Sequence, residues 1–113
     1  MNIDKQKMKF RSASFILVYQ LEGLCSALRQ LVPVGLGPGK TSIDLLKKFY
    51  KDFSSMHSGS SCENLPEITD SISAFDMLVY AETLRSIMMA FLTPEETEDY
   101  NKSFGFGKRN EST

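Results

Sequence analysis

The stretch Val32-Pro33-Val34-Gly35-Leu36-Gly37-Pro38-Gly39-Lys40-Thr41-Ser42 (VPVGLGPGKTS, residues 32–42) decides the fold. Read as a phosphate-binding loop, it implies a parallel sheet. Read as a break between helices, it implies an all-α chain. A P-loop needs Gly, four residues and then Gly-Lys-Ser/Thr, because successive backbone amides must curl around the phosphates. Gly39-Lys40-Thr41 supplies the second half, but the position five before Gly39 is Val34, and Gly35 comes one residue too late. A buried strand should precede such a loop, yet a helical pattern does. Too little chain remains for a parallel sheet with a magnesium-binding acid. A break accounts for every residue: Pro33 removes a donor, Gly35 and Gly39 accept left-handed caps, Pro38 stiffens the turn and Thr41 caps the second helix. Lys40 beside free helix-end amides could still hold an incidental anion.

Working outward from the break, Leu17, Leu21, Leu24, Leu28 and Leu31 recur at spacings of four, three, four and three, with Phe10 before them. That is a helical seam, and Val18, Cys25 and Val32 widen it, so a first helix is expected over about residues 9–32. Gly23 and Ala27 lie one turn apart. They either admit a neighbouring backbone or leave a tolerated defect of ~1 kcal/mol relative to Ala. Downstream, Ile43, Leu46, Phe49, Tyr50, Phe53 and Met56 share one face, with Lys47, Lys48 and Lys51 on the other. A second helix is expected over about 41–57, with Thr41 and Asp44 in a box-like start.

Residues 54–64 form a Ser-rich connector, and Pro66 suits the first turn of a third helix over about 66–92. Its apolar rows, Ile68, Ile72, Phe75, Leu78 and Val79 with Met77, Ala81, Leu84, Met88 and Phe91, overlap, which predicts burial over much of its circumference. Thr93-Pro94-Glu95-Glu96 reads as N-cap, Pro at the first position and acids against the positive helix end. It opens either a short fourth helix (94–102) or an acidic turn. The expected fold class is therefore all-α, a small bundle of three main helices with a short fourth. Residues 1–103 form one domain and 104–113 a mobile tail.

At 113 residues the chain is long enough for one core, and with a net charge of −1 it carries no global field toward nucleic acid or anionic membrane. Two cysteines, Cys25 and Cys62, make no disulfide framework, and no signal-peptide pattern opens the chain, so a cytoplasmic protein is expected. The apolar run 13–36 holds Gln20, Glu22, Arg29 and Gln30, each costly in lipid, which argues against membrane association. His57, Cys62 and Glu63 suggest a metal or nucleophile site, but structural zinc takes four Cys/His ligands and this chain has three such residues in all. They are expected to be exposed loop residues. Glu95, Glu96, Glu98 and Asp99 follow no calcium-loop pattern and read as helix-end charge. Glu82 and Arg85, three apart, should pair locally. No metal, no cofactor and no catalytic residues are assigned, and the expectation is a non-enzyme.

The informative feature is where charge is missing. Between Ser12 and Gly39 only Glu22 and Arg29 are charged, and between Ser71 and Thr93 only Asp76, Glu82 and Arg85 are. Interfaces deplete charge and favour aromatic residues and Met. The expected function is a small protein–protein interaction module, acting as adaptor, inhibitor or assembly subunit through a face of the first and third helices. The expected interface residues are Tyr19, Glu22, Arg29, Tyr80, Met88, Met89 and Phe91. The partner is a second copy in a homodimer or another protein. The alternative is a nucleic-acid-associated subunit whose arm (Lys5, Lys7, Lys9, Arg11) and second-helix lysines (Lys47, Lys48, Lys51) contact phosphates. The ending Phe104-Gly105-Phe106-Gly107-Lys108-Arg109 reads as a mobile end or a docking peptide.

Overall fold

The break at residues 32–42 separates two helices. The computed structural model describes residues 12–57 and 67–104, and holds four α-helices in order: α1 (Ala13–Leu31), α2 (Gly39–Met56), α3 (Ala74–Met89) and α4 (Pro94–Ser103). No strand occurs among the described residues. None of the helices is long and apolar enough to cross a membrane.

Helix α1 opens on Ser12, whose hydroxyl accepts the Phe15 amide at 3.1 Å. The expected start near residue 9 lies outside the described residues, as do Lys5, Lys7, Lys9, Arg11, Cys62, Glu63 and Pro66. At its far end the chain tightens into a 3-10 turn, Val32–Val34, and reverses at Gly35 with φ of 71°. There the Leu36 amide donates to the Leu31 carbonyl, closing the terminus as a left-handed glycine cap does. Helix α2 begins two residues earlier than its hydroxyl signal suggested. Gly39, at φ 80°, turns the chain, and Thr41 sits exposed within the first turn, so no side chain caps α2.

The third helix is the main correction. It starts at Ala74, capped by the Ser73 hydroxyl on the Asp76 amide at 3.1 Å, and residues 67–73 are not helical. Ile68 and Ile72 have helical spacing but reach the core from this lead-in, where a turn sends the Ile72 amide to the Thr69 carbonyl. A Ser hydroxyl aimed at its own downstream amide wins over continued apolar periodicity. Phe75 and Val79 are 59% and 48% exposed, so α3 is less fully wrapped than its overlapping rows implied.

Helices α1 and α3 make the most extensive contact of the fold, and α2 packs across both. The core is drawn from Leu17, Val18, Leu21 and Leu28 of α1, Leu46 and Phe53 of α2, and Met77, Leu84 and Met88 of α3. Glu22 of α1 faces Arg85 and the later Arg29 faces the earlier Glu82, so α1 and α3 run antiparallel. The expected Thr93 N-cap is present and residues 94–103 are helical; Thr93 and Glu96 cap α4 reciprocally, each bond 3.1 Å long.

Candidate functional site

Glu22 and Arg29, two of the residues expected at a partner interface, take part in a polar centre within the chain. Glu22 projects from the α3-facing side of α1 and is 5% exposed. One carboxylate oxygen, Oε1, accepts Arg85 of α3 and, at 3.0 Å, the Tyr100 hydroxyl of α4; the other accepts Arg29 at 3.3 Å. Arg29 then spans to Glu82 at 3.2 Å. Arg85 thus reaches across to α1 rather than to Glu82 beside it, because a buried carboxylate needs the guanidinium more than an exposed one does. Burial raises the Tyr100 hydroxyl pKa, with the Glu22 charge adding to the effect against the pull of Arg85. Cys25, buried nearby, is a thiol pushed up to about 11 by burial, and is no nucleophile at neutral pH.

A second polar junction escaped the sequence. His57, expected as an exposed loop residue, is only part-exposed: it ends α2 and its Nε2 lies 2.8 Å from the Ser14 hydroxyl at the start of α1. Its ring stacks on Phe91 at 3.8 Å and leans on Phe53 at 5.4 Å. Ser beside His is the contact a nucleophile and base would make. Here Ser14 is buried in a helix, and among the described residues Ser14 is the only hydrogen-bond partner of the imidazole. The pair ties the start of α1 to the end of α2. No signal in spacing foretells it, since the two residues are 43 positions apart. Among the described residues no group of three His, Cys, Asp or Glu side chains is arranged to hold a metal ion.

The remaining expected interface residues divide. Tyr80 is buried and meets the Tyr50 ring edge-on at 6.2 Å, and Met88 is fully buried, so both are core. Tyr19 is half-buried among Phe15, Tyr100 and Phe104, and its hydroxyl bonds Ser103. Met89 is half-buried against the core, and Phe91 is 43% exposed over His57. The structure therefore brings Tyr19, Glu22 and Arg29 into one intramolecular cluster with α4, and turns Tyr80 and Met88 inward.

A different set of residues faces outward. On α1 the exposed stripe is Ile16, Gln20, Gly23, Ala27 and Gln30; on α3 it is Phe75, Val79, Thr83 and Ser86. Both stripes are free of charge, with Arg29, Asp76 and Glu82 beside them. Nothing lies within 4 Å of a Cβ built on Gly23, so among the described residues no neighbouring helix packs against that position. Beside Val79 an open groove of about 460 Å³ runs between α3 and the 67–73 lead-in, with Ile72, Val79 and Tyr80 as its apolar lining and Glu67 and Asp76 among its polar residues.

The α2 lysines are partly neutralised in place. Lys47 pairs with Asp70 at 3.2 Å and Lys48 with Asp52 at 2.9 Å, and the Lys47 contact lowers the Asp70 carboxyl pKa. Comparison with protein-family models, with curated proteins and with solved structures finds no match.

Proposed function

We propose that this chain is a non-enzymatic helical interaction module that associates through the outward stripes of α1 and α3, with a second copy as the first partner. The observation that carries this reading is their lack of charge: a solvent-facing helix side ordinarily carries Lys, Glu or Arg, and these carry Ile, Gln, Gly, Ala, Phe, Val, Thr and Ser. A two-fold dimer lets one such stripe serve both subunits. Roles as adaptor, inhibitor or assembly subunit are all compatible with the same surface, with another protein in the partner's place.

The test exploits Gly23. Because nothing among the described residues crowds a Cβ at that position, Gly23→Leu should leave the isolated fold intact and raise helix propensity by up to about 0.8 kcal/mol. Light-scattering mass on a size-exclusion column should read a dimer for the wild type and a monomer for Gly23→Leu and for Val79→Asp, with far-ultraviolet circular dichroism unchanged. Variants that keep the wild-type dimer mass would overturn the stripe as the interface, and a monomeric wild type would overturn self-association. Absorbance at 260 nm across the same peak reads the nucleic-acid alternative. Retained nucleic acid that is lost with salt and on charge reversal of Lys47, Lys48 and Lys51 would favour that alternative.

A further inference from the structure

Helix α4 is attached by means unlike those of the other three. Its sequence, PEETEDYNKS, offers one aromatic side chain and no aliphatic one beyond Pro94, and its buried residues are Glu96 and Tyr100. Glu96 is a carboxylate and Tyr100 carries a hydroxyl on a buried ring, and both are anchored on the α1 side by hydrogen bonds. Glu96 uses one carboxylate oxygen for its own cap at Thr93 and the other, at 2.8 Å, for the backbone amide of Ser12, the residue that caps α1. Tyr100 donates to Glu22 at 3.0 Å, and Ser103 meets the Tyr19 hydroxyl. Among the described residues, the apolar part of the seat includes the ring cluster of Tyr19, Tyr100 and Phe104, with centroids 4.8–5.8 Å apart. None of the other helices contacts α4 extensively, whereas α1, α2 and α3 all contact one another.

From this we infer that α4 is a releasable strap: it leaves its seat as one unit while the α1–α2–α3 core stays folded, uncovering Tyr19 and the Glu22–Arg85 pair. A segment with little apolar burial opens at lower free energy than the core beneath it. A ten-residue helix has little stability of its own in water, so release carries loss of its helical structure with it. When α4 leaves, Glu22 keeps Arg85 and Arg29, so the core is not left with an uncompensated charge. The turn at residues 90–93, where the Phe91 amide bonds the Met88 carbonyl, is the point about which the strap moves. This inference is independent of whether the α1 and α3 stripes bind a second copy.

Hydrogen exchange of the full chain, read peptide by peptide, tests it. Amides of α4 should be protected, yet exchange at least tenfold faster than those of α1 and α3. Tyr100→Phe, which removes only the hydroxyl bonded to Glu22, should speed α4 exchange a further tenfold or so, equivalent to about 1.4 kcal/mol, and leave α1 and α3 rates unchanged. Glu96→Gln should act in the same direction. Exchange of α4 at the same rate as the core, or equal acceleration of α4 and core in both variants, would overturn the strap. So would α4 amides with no protection at all in the wild type, because an unseated helix covers nothing.

Discussion

Helices α3 and α4 both lie against α1, but what each brings to the contact is nearly opposite. From α3 come Met77, Ala81, Leu84 and Met88, side chains without strong hydrogen-bonding groups, all fully buried. From α4 come a carboxylate and a phenol, buried to a similar depth. Apolar packing is non-directional and grows with area, so α3 can settle wherever its row meets that of α1. A buried carboxylate tolerates one arrangement, in which its oxygens find donors. Apolar burial therefore supplies the adhesion between α1 and α3, while hydrogen-bond geometry fixes where α4 sits. Glu22 belongs to both regimes, since it lies within the α1–α3 contact and receives α4. Among the described residues, every deeply buried side-chain nitrogen or oxygen has a partner.

The largest effect should come from removing the group the two regions share. Glu22→Ala leaves Arg85 and the Tyr100 hydroxyl without their acceptor, and breaking a buried pair in this way costs about 3–5 kcal/mol. Leu84→Ala, which touches only the apolar side, should cost about 2–5 kcal/mol, read in the unfolding of the α1–α2–α3 core. Urea midpoints of both variants are the check. If Glu22→Ala proved near neutral, the polar centre would be an ornament on a packed core and the contrast between α3 and α4 would collapse.

Alkaline pH should sharpen the comparison next. The Cys25 thiol rises from an ordinary 9.0 to about 11 in the folded state. Between those values the unfolded chain has released its proton and the folded chain has not, so stability is full below pH 9 and falls as pH rises to 11. The loss is of order 2 kcal/mol for a shift of this size. Thermal melts across pH 8–11 should show it, and Cys25→Ala should remove the part of the slope that begins near pH 9. Tyr100, also raised, adds to the fall above its ordinary value of 10.0.

The smallest effect tests α4 alone. Thr93→Ala deletes one half of the capping box and should cost about 1 kcal/mol, with the loss of helical signal confined to a few residues and the main melting transition barely moved. A full shift of that transition would mean α4 unfolds only with the rest.

Much of the fold is legible in the sequence because it depends on local rules. The Leu17-to-Leu31 seam, the break at Pro33 to Gly39, the α2 face and the Thr93 N-cap each report a choice made within a few residues of the chain. The α3 start is not legible, because Ile68 and Ile72 repeat with helical spacing without being helical. The competing Ser73 cap is equally local, but Pro66 offers an earlier start signal. Proximity along one helix pairs Glu82 with Arg85, whereas desolvation of Glu22 sets the real partners. His57 reads as a loop residue since its company, Ser14 and Phe91, comes from distant parts of the chain. The expected interface residues fail to separate for a related reason: periodicity places Tyr80 and Met88 on a helix but does not state which side the neighbours cover.

The sequence by itself determined the all-helical class, the break between α1 and α2, and which residues are apolar enough to enter a core. These come from backbone sterics, capping groups and the 3.6-residue period, all acting at short range. Only the tertiary structure decided that Glu22 becomes the centre of a charge network, that Ser14 and His57 meet, and that uncharged stripes on α1 and α3 are left facing outward. Each of those outcomes depends on which groups lose their water when helices pack, a cost that belongs to the assembled molecule and to no single segment of it.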